Sequence, residues 1–269
     1  MGATQQAPNQ ELHGSGGSGP TSDGRRKPEI YAPGVNIWSA QSGTTNGYIA
    51  FTGTSMACPA VVGGCLLIRQ WMRNGYFVNG LSQGPAYVAP VTGSLIRALA
   101  INGTSDMTGI SGYPSNREGW GRMILDNVLW FAGESRRTIP WSLRNSNGLL
   151  QGEQRVFRFQ VLDSGTPLKI SMSFTDFPGA VFASDPVVNN VDLEVVAPDG
   201  TLYLGNVFSG GQSVTGGTAD TKNSTEMVLL NAPQTGTWQI RARVTTLNNG
   251  GRQGFAVVAN GNINRTPGG

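Results

Sequence analysis

Phe51 to Gly64 read FTGTSMACPAVVGG, a serine directly after Gly-Thr that runs into small and apolar residues. Two readings compete for Ser55. Serine and threonine are favoured at helix N-termini, where the hydroxyl accepts a hydrogen bond from an otherwise unpaired backbone N–H. Alternatively, a serine on the first turn of a helix can act as a nucleophile. There the dipole and the unpaired N–H groups stabilise negative charge on an attacked carbonyl oxygen. Gly53 would let a substrate backbone approach closely, and the small residues after Ser55 would seat the helix against a core. Taken alone, Gly53-Thr54-Ser55 reads as a cap.

The surrounding chain sets the bounds. Its 269 residues suffice for one large domain or two ordinary ones. Hydrophobic residues make up 38%, enough for a real core, while charged residues are 13% and glycine occupies 39 positions. Low charge with abundant Gly, Ser, Thr and Asn is typical of secreted, loop-rich folds. The formal charge of +3 is small, and Arg25-Arg26-Lys27 is too short a run for a nucleic-acid footprint. No apolar run reaches the roughly 18 residues of a membrane span. The start, MGATQQAPNQ, has neither a basic nor an apolar leader region, so no signal peptide is expected there. Cys58 and Cys65 are the two cysteines. On one helix they would be separated by about 10 Å of rise, beyond the roughly 7 Å that a disulfide spans. They are expected as two buried, reduced thiols.

Two periodicities divide the chain. Residues 1–133 mix glycine-rich loops with helical runs. ACPAVVGGCLLIRQWM is small and apolar on most faces, as a buried helix would be. TGSLIRALAING places Leu95/Leu99 and Ile96/Ala100 at four-residue spacing and ends at Asn102-Gly103. RMILDNVLWFAG, after Gly119-Trp120-Gly121, is expected as a third short helix. From about Leu149 the period becomes two: VFRFQVL, LKISMSF, VDLEVVA, TWQIRARV and GFAVVAN are separated by turn signals such as Pro198-Asp199-Gly200. That spacing predicts an antiparallel sandwich. The polar stretch at 134–150 reads as a linker, 151–262 as the sandwich and 263–269 as a tail.

Longer strings decide the reading of Ser55. Asp23-Gly24-Arg25, Lys27-Pro28-Glu29 and Ala32-Pro33-Gly34 precede Gly53-Thr54-Ser55-Met56-Ala57-Cys58-Pro59, in that order. Together they closely resemble the serine-bearing segment of subtilisin-like serine proteases. Further on, NGTSDM, GYPSNREGWGRMILDNVL, FTDFPG, VVNNVDLEVVAPDGTLYLGN and MVLLNAPQTGTWQIRARV resemble subtilases in which a jelly-roll sandwich follows the catalytic domain. The resemblance implies an α/β fold, part of a doubly wound parallel sheet, followed by an all-β jelly roll. It implies Ser55 as nucleophile, attacking protein or peptide substrates, with its own N–H in the oxyanion hole and Gly53 and Thr54 lining the approach. Met56 would be an oxidation site. Cys58 stands where the family has a small residue, and reads as packing. An extracellular location is likewise an implication of the family.

A subtilase also needs an Asp and a His ahead of the serine, and only 54 residues precede Ser55. Neither a D-[ST]-G nor an H-G-T-H-x-A-G motif occurs among them, and the segment carrying the oxyanion asparagine is also missing. His13, in LHGSGGSGP, aligns with a loop of the family, and Asp23 reads as a turn residue. The chain by itself is therefore expected not to be a competent protease and to need the N-terminal half of the catalytic domain. Losing triad members leaves a residual of only about 10³–10⁴ over water.

Subtilases with such a tail often carry structural calcium, which takes six to eight oxygen ligands. The candidates are Asp176, Asn190, Asp192, Asn206, Asn223 and Glu226, with Asp176 and Asp192 foremost. Asn190 and Val207 stand where the related pattern is acidic. Turn formation accounts equally well for Asp and Asn at strand ends. No organic cofactor, nucleic acid or membrane partner is expected. Two other classes of function remain open: a non-catalytic scaffold derived from a subtilase, and an adhesion or carbohydrate-binding sandwich. The latter would show exposed aromatics clustered on one sandwich face, and Trp238 and Phe255 alone do not make such a cluster.

Overall fold

The computed structural model describes residues 1–84 and 91–266. The chain divides into two compact units, residues 1–67 with 104–124 and residues 68–103 with 125–269.

The first unit is mixed α/β. Its five-stranded sheet is assembled from β1 (Gly2–Thr4), β2 (His13–Ser15), β3 (Tyr31–Pro33), β6 (Thr104–Ser105) and β7 (Arg122–Met123) in the order β2-β1-β3-β7-β6. The β1–β3 and β3–β7 pairs are parallel, and β2 and β6 add antiparallel edges. Between β3 and the long helix, β4 (Ile37–Ala40) and β5 (Tyr48–Phe51) form a separate hairpin, with Ile37 opposite Phe51. Helix α1 (Thr54–Arg73) runs for 20 residues and passes from the first unit into the second.

Two expectations about this part are corrected. Helix α1 was expected to be buried on most faces, yet Val62, Leu66 and Leu67 are each at least half exposed. Ala57, Ile68, Trp71 and Met72 form its buried stripe, and no second layer covers the opposite face among the described residues. Cys58 accordingly lies exposed and Cys65 half-buried, both as free thiols rather than buried ones. The third helix does not form either. Arg122 and Met123 are drawn into the sheet beside Tyr31 and Thr104, and only a 3₁₀ turn, Leu125–Asn127, follows. Sheet pairing overrides the helical spacing of that stretch.

The second unit contains α2 (Tyr76–Asn79), α3 (Gly93–Asn102) and two antiparallel sheets. The strands are β8 (Arg137–Leu143), β9 (Gln154–Val161), β10 (Leu168–Ser173), β11 (Asn189–Val196), β12 (Leu202–Leu204), β15 (Thr225–Leu230), β16 (Gly236–Leu247), β17 (Phe255–Gly261) and β18 (Ile263–Arg265). A small ribbon of β13 (Phe208–Ser209) and β14 (Gln212–Ser213) lies between β12 and β15. One sheet runs β15-β10-β17-β8 and the other β12-β11-β16-β9-β18. Period-two burial is plain in β11, where Val191, Leu193 and Val195 point inward and Asp192 and Glu194 outward. Inward side chains of both sheets share one core that includes Phe159, Ile170, Trp238 and Phe255. Each buried phenylalanine contributes about 1.5–3 kcal/mol relative to exposure.

Helix α3 ends as its sequence predicts, with the Gly103 amide closing onto Leu99, and its start is capped by Thr92, whose Oγ1 accepts from the Leu95 amide. It packs on β10 and β17. There the buried Asn102 amide donates to Ser171 Oγ (3.1 Å) and to the Val258 carbonyl (3.3 Å), while Ser171 Oγ donates to the Ala98 carbonyl. The five strands read from alternation are all present. The stretch expected as a linker instead supplies β8, whose Pro140 is tolerated because β8 is an edge strand. The expected tail likewise begins with β18, paired to β9.

Candidate functional site

Ser55 sits exposed in the first turn of α1. The cap of that helix is Gly53: its carbonyl accepts from Met56 (3.1 Å) and Ala57 (3.3 Å). The Ser55 hydroxyl is therefore not used as the cap. Its N–H lies where helices lack an internal acceptor and where the dipole favours negative charge.

The turn before the helix is held from behind. The Gly53 amide donates to the Gly34 carbonyl (2.8 Å), the Asn36 amide to Thr52 Oγ1 (2.9 Å), and the Gly34 amide to the Thr4 carbonyl (3.1 Å). Gly34 must be glycine, since a Cβ there would come within 2.5 Å of Ala3 Cβ and 2.7 Å of the Gly53 carbonyl oxygen. Ala3, Ala32 and Ala57 pack beneath it with Val61. In front the space is open: a Cβ on Gly53 would meet nothing closer than Met56 Sδ at 3.8 Å. The hairpin leading into the turn exposes Trp38, Tyr48 and Phe51. Gly34, Asn36 and Thr52 were not singled out as site residues from sequence. The Ala32-Pro33-Gly34 string was the available signal.

No imidazole or carboxylate is hydrogen-bonded to Ser55 among the described residues. His13 Nδ1 lies 3.1 Å from Tyr31 Oη, and that hydroxyl donates to the Arg117 carbonyl (2.5 Å). The phenol's proton being committed, His13 Nδ1–H is the donor to Tyr31. Asp23 accepts from Arg25 Nε (2.6 Å) in the Thr21–Gly24 turn. That guanidinium, followed by the Thr21 hydroxyl, holds its carboxyl down at about 2. Burial pushes the Cys65 thiol up, so it is a poor nucleophile at neutral pH.

The calcium candidates each make hydrogen bonds within the chain. Asp176 is occupied as a loop anchor, accepting from the Phe177, Val188 and Asn189 amides at 2.8 Å each. Asn190 Nδ2 donates to Asp192 Oδ1 (2.5 Å), while Asn206 Nδ2 (2.6 Å) and Asn223 Nδ2 (2.8 Å) both donate to Asp220 Oδ2. Glu226 is buried, with Oε2 accepting from the Leu193 amide (3.0 Å) and no donor at Oε1. Burial raises its carboxyl well above the usual range, and Asp220 and Asp192 add to the rise. No group of three or more His, Cys, Asp or Glu side chains suited to a metal occurs among the described residues. Asp220, the hub of these contacts, was missed in the sequence because nothing periodic marks it. On the sandwich, Trp238 and Phe255 are both buried, so they display no aromatic surface.

With this geometry in view, comparison with known proteins is informative. The chain is 28% identical over 247 residues to the serine protease/ABC transporter B family protein tagA of Dictyostelium discoideum, covering 84% of this chain and 14% of that protein. It is 29% identical over 276 residues to the related tagB, covering 79% of this chain and 14% of that protein. A shorter stretch of 56 residues is 48% identical to the PII-type proteinase of Lactococcus lactis subsp. cremoris, covering 21% of this chain and 3% of that protein. The chain therefore spans a small fraction of the relatives it matches. Residues 1–121, which contain the turn, the helix start and Ser55, match the model of the subtilase family, Peptidase S8.

Proposed function

We propose that this chain carries the nucleophile-bearing part of a subtilisin-like serine endopeptidase. The observation that carries the reading is the exposed Ser55 on the first turn of α1, behind a glycine cap and with open space in front. In the proposed reaction, Ser55 Oγ bonds to the carbonyl carbon of a peptide and loses its proton to a base. The oxyanion is held in part by the Ser55 N–H, the amine leaves with a proton, and water releases the acyl group. The base, its carboxylate partner and the second oxyanion donor come from outside these 269 residues. His13 and Asp23, bound to Tyr31 and Arg25, do not supply them. Protein or peptide substrates and an extracellular setting belong to the same proposal. No helix of the described residues is long and apolar enough to cross a membrane.

The second unit is read as a jelly roll. Support comes from the strand orders β8-β17-β10-β15 and β18-β9-β16-β11-β12, in which early and late strands of the chain alternate as far as β11, with β12 added at the edge as a hairpin partner of β11. Calcium has no part in the proposed reaction.

Fluorophosphonate labelling of the purified chain, with Ser55→Ala as control and casein turnover alongside, tests the reading. The chain alone is expected to stay unlabelled. Extension at its N-terminus with Asp- and His-bearing sequence is expected to give Ser55-dependent labelling. A folded but unlabelled extended protein would favour the scaffold reading. Labelling of the unextended chain, lost in His13→Ala, would place the base within these residues and overturn the account of His13.

A further inference from the structure

The hairpin that leads into the Ser55 turn carries two aromatic rings that the proposed reaction does not use. In the β4–β5 pairing Trp38 is opposite Ala50 and Tyr48 is opposite Ala40, so these four side chains share one face. Ile37 and Ile49 are on the other face and are half-buried. Trp38 is 68% exposed and Tyr48 71% exposed, whereas Trp71, Trp120, Trp130 and Trp238 are all buried.

The pair has the geometry of a slot. Trp38 and Tyr48 are diagonal neighbours on the antiparallel ladder, where the roots of two side chains are about 7–8 Å apart. Ala40 and Ala50 complete the face with methyl groups, which form a low floor between the rings. Two ring faces at that separation hold one flat group, because each non-bonded contact takes about 3.5–4 Å. Neither ring stacks on another aromatic, and neither Trp38 Nε1 nor Tyr48 Oη makes a hydrogen bond among the described residues. The loop joining the strands is fixed: Thr44 Oγ1 donates to the Gln41 carbonyl (2.9 Å) and accepts from the Gly47 amide (3.0 Å), and the Gln41 amide donates to the Gly47 carbonyl (2.9 Å). Such preorganisation limits the ordering cost of binding.

Charge narrows the occupant. From Ile30 to Ile68 the sequence holds no Asp, Glu, Lys, Arg or His, so a charged group in the slot would lose water and gain no counter-charge. A sugar would meet a similar shortage, since its hydroxyls need several polar partners and the slot is built of two rings and two methyl groups. A proline ring matches the slot in thickness and carries neither charge nor N–H. A proline-bearing backbone is already extended as polyproline II, loses little entropy on binding, and offers carbonyl acceptors to the indole N–H and the phenol O–H.

We propose that Trp38 and Tyr48 form a binding slot for an uncharged, proline-bearing polypeptide segment in extended conformation. Strand β5 ends at Phe51 and the turn to Ser55 follows directly, so a peptide in the slot is held close to that serine. That such a peptide is also a substrate rests on the reading of Ser55 given above.

Calorimetric titration of the chain with octaproline, blocked at both ends, tests the slot, with a blocked Gly-Ser peptide of equal length as control. Octaproline is expected to bind saturably and the control not to bind. Trp38→Ala and Tyr48→Ala, checked for folding by circular dichroism, are each expected to weaken binding about tenfold, as the loss of one aromatic face does. In the wild type, nuclear Overhauser contacts are expected between the proline ring protons and the Trp38 indole, which keeps the test open should a variant fail to fold. No octaproline binding, equal binding of the control, unchanged affinity in both variants, or contacts to other tryptophans alone would overturn the proposal. Saturable binding of cellohexaose or of phosphatidylcholine vesicles, with none of octaproline, would overturn it in favour of a sugar or a lipid surface. Binding is read without turnover, so a chain that holds octaproline while its Ser55 never reacts refutes the protease reading alone.

Discussion

The amide of Gly53 donates to the carbonyl of Gly34 over 2.8 Å, so the turn that delivers Ser55 hangs from the residue that ends the Ala32-Pro33-Gly34 string. The contact is close because neither residue has a side chain. Gly34→Ala would push a methyl against Ala3 and the Gly53 carbonyl. The expected cost is about 1–3 kcal/mol, as for other overpacked sites. Chemical denaturation should show it in the first unit, with the transition of the second unit unmoved.

Glu226 gives the second unit its own pH dependence. Its folded carboxyl is raised, mainly by burial, so the folded state holds a proton that the unfolded chain releases above its ordinary pKa of about 4.5. Stability from this group is complete below that pH and is lost as pH rises towards the folded value. Wild-type melting temperature should fall relative to Glu226→Gln as pH increases from 4. Parallel curves for the two proteins would show that Glu226 is charged in the fold.

Asp176 fastens the loop before β11 through three backbone amides. Asp176→Ala would leave those donors unpaired, at an expected cost of about 1–3 kcal/mol. Cleavage between Phe177 and Val188 in limited proteolysis should become faster, while the β10–β17 core stays protected. An unchanged cleavage pattern would mean that the loop is held by something else.

The amide groups of Asn190, Asn206 and Asn223 point at Asp192 and Asp220. Millimolar calcium or excess chelator should therefore move the melting temperature of the chain by less than about 1 °C, as expected when no ion binds the folded state selectively. A calcium-dependent rise of several degrees would show that these amides turn to present oxygen.

Much of this was legible in the sequence. The alternation of VDLEVVA and TWQIRARV became β11 and β16 because their inner faces meet a common core, and burial has the same period as the pleat. The end of α3 followed from Asn102-Gly103, because a helix stop acts locally. Ser55 was found by its neighbours in sequence, and its placement depends on only one turn of helix. What escaped notice depends on partners distant in the chain. The polar ESRRTIPWSLRNSNG stretch hides β8, whose inward Ile139 is recognisable only once β17 lies beside it. Arg122 and Met123 have helical spacing but are claimed by β3 and β6.

The bridge from Asn102 to Ser171 and Val258 spans 69 and 156 positions of sequence. Helix α3 leaves the ribosome long before the strands that receive it, and the last strand of its unit, β18, closes at Arg265. Contacts of such separation slow folding, because loop closure must precede the gain from pairing. The apolar face of α3 must then wait in an incomplete chain. A nascent protein stopped before Ile263 would still show β9 as an open edge, ready to pair with a neighbour on the same message.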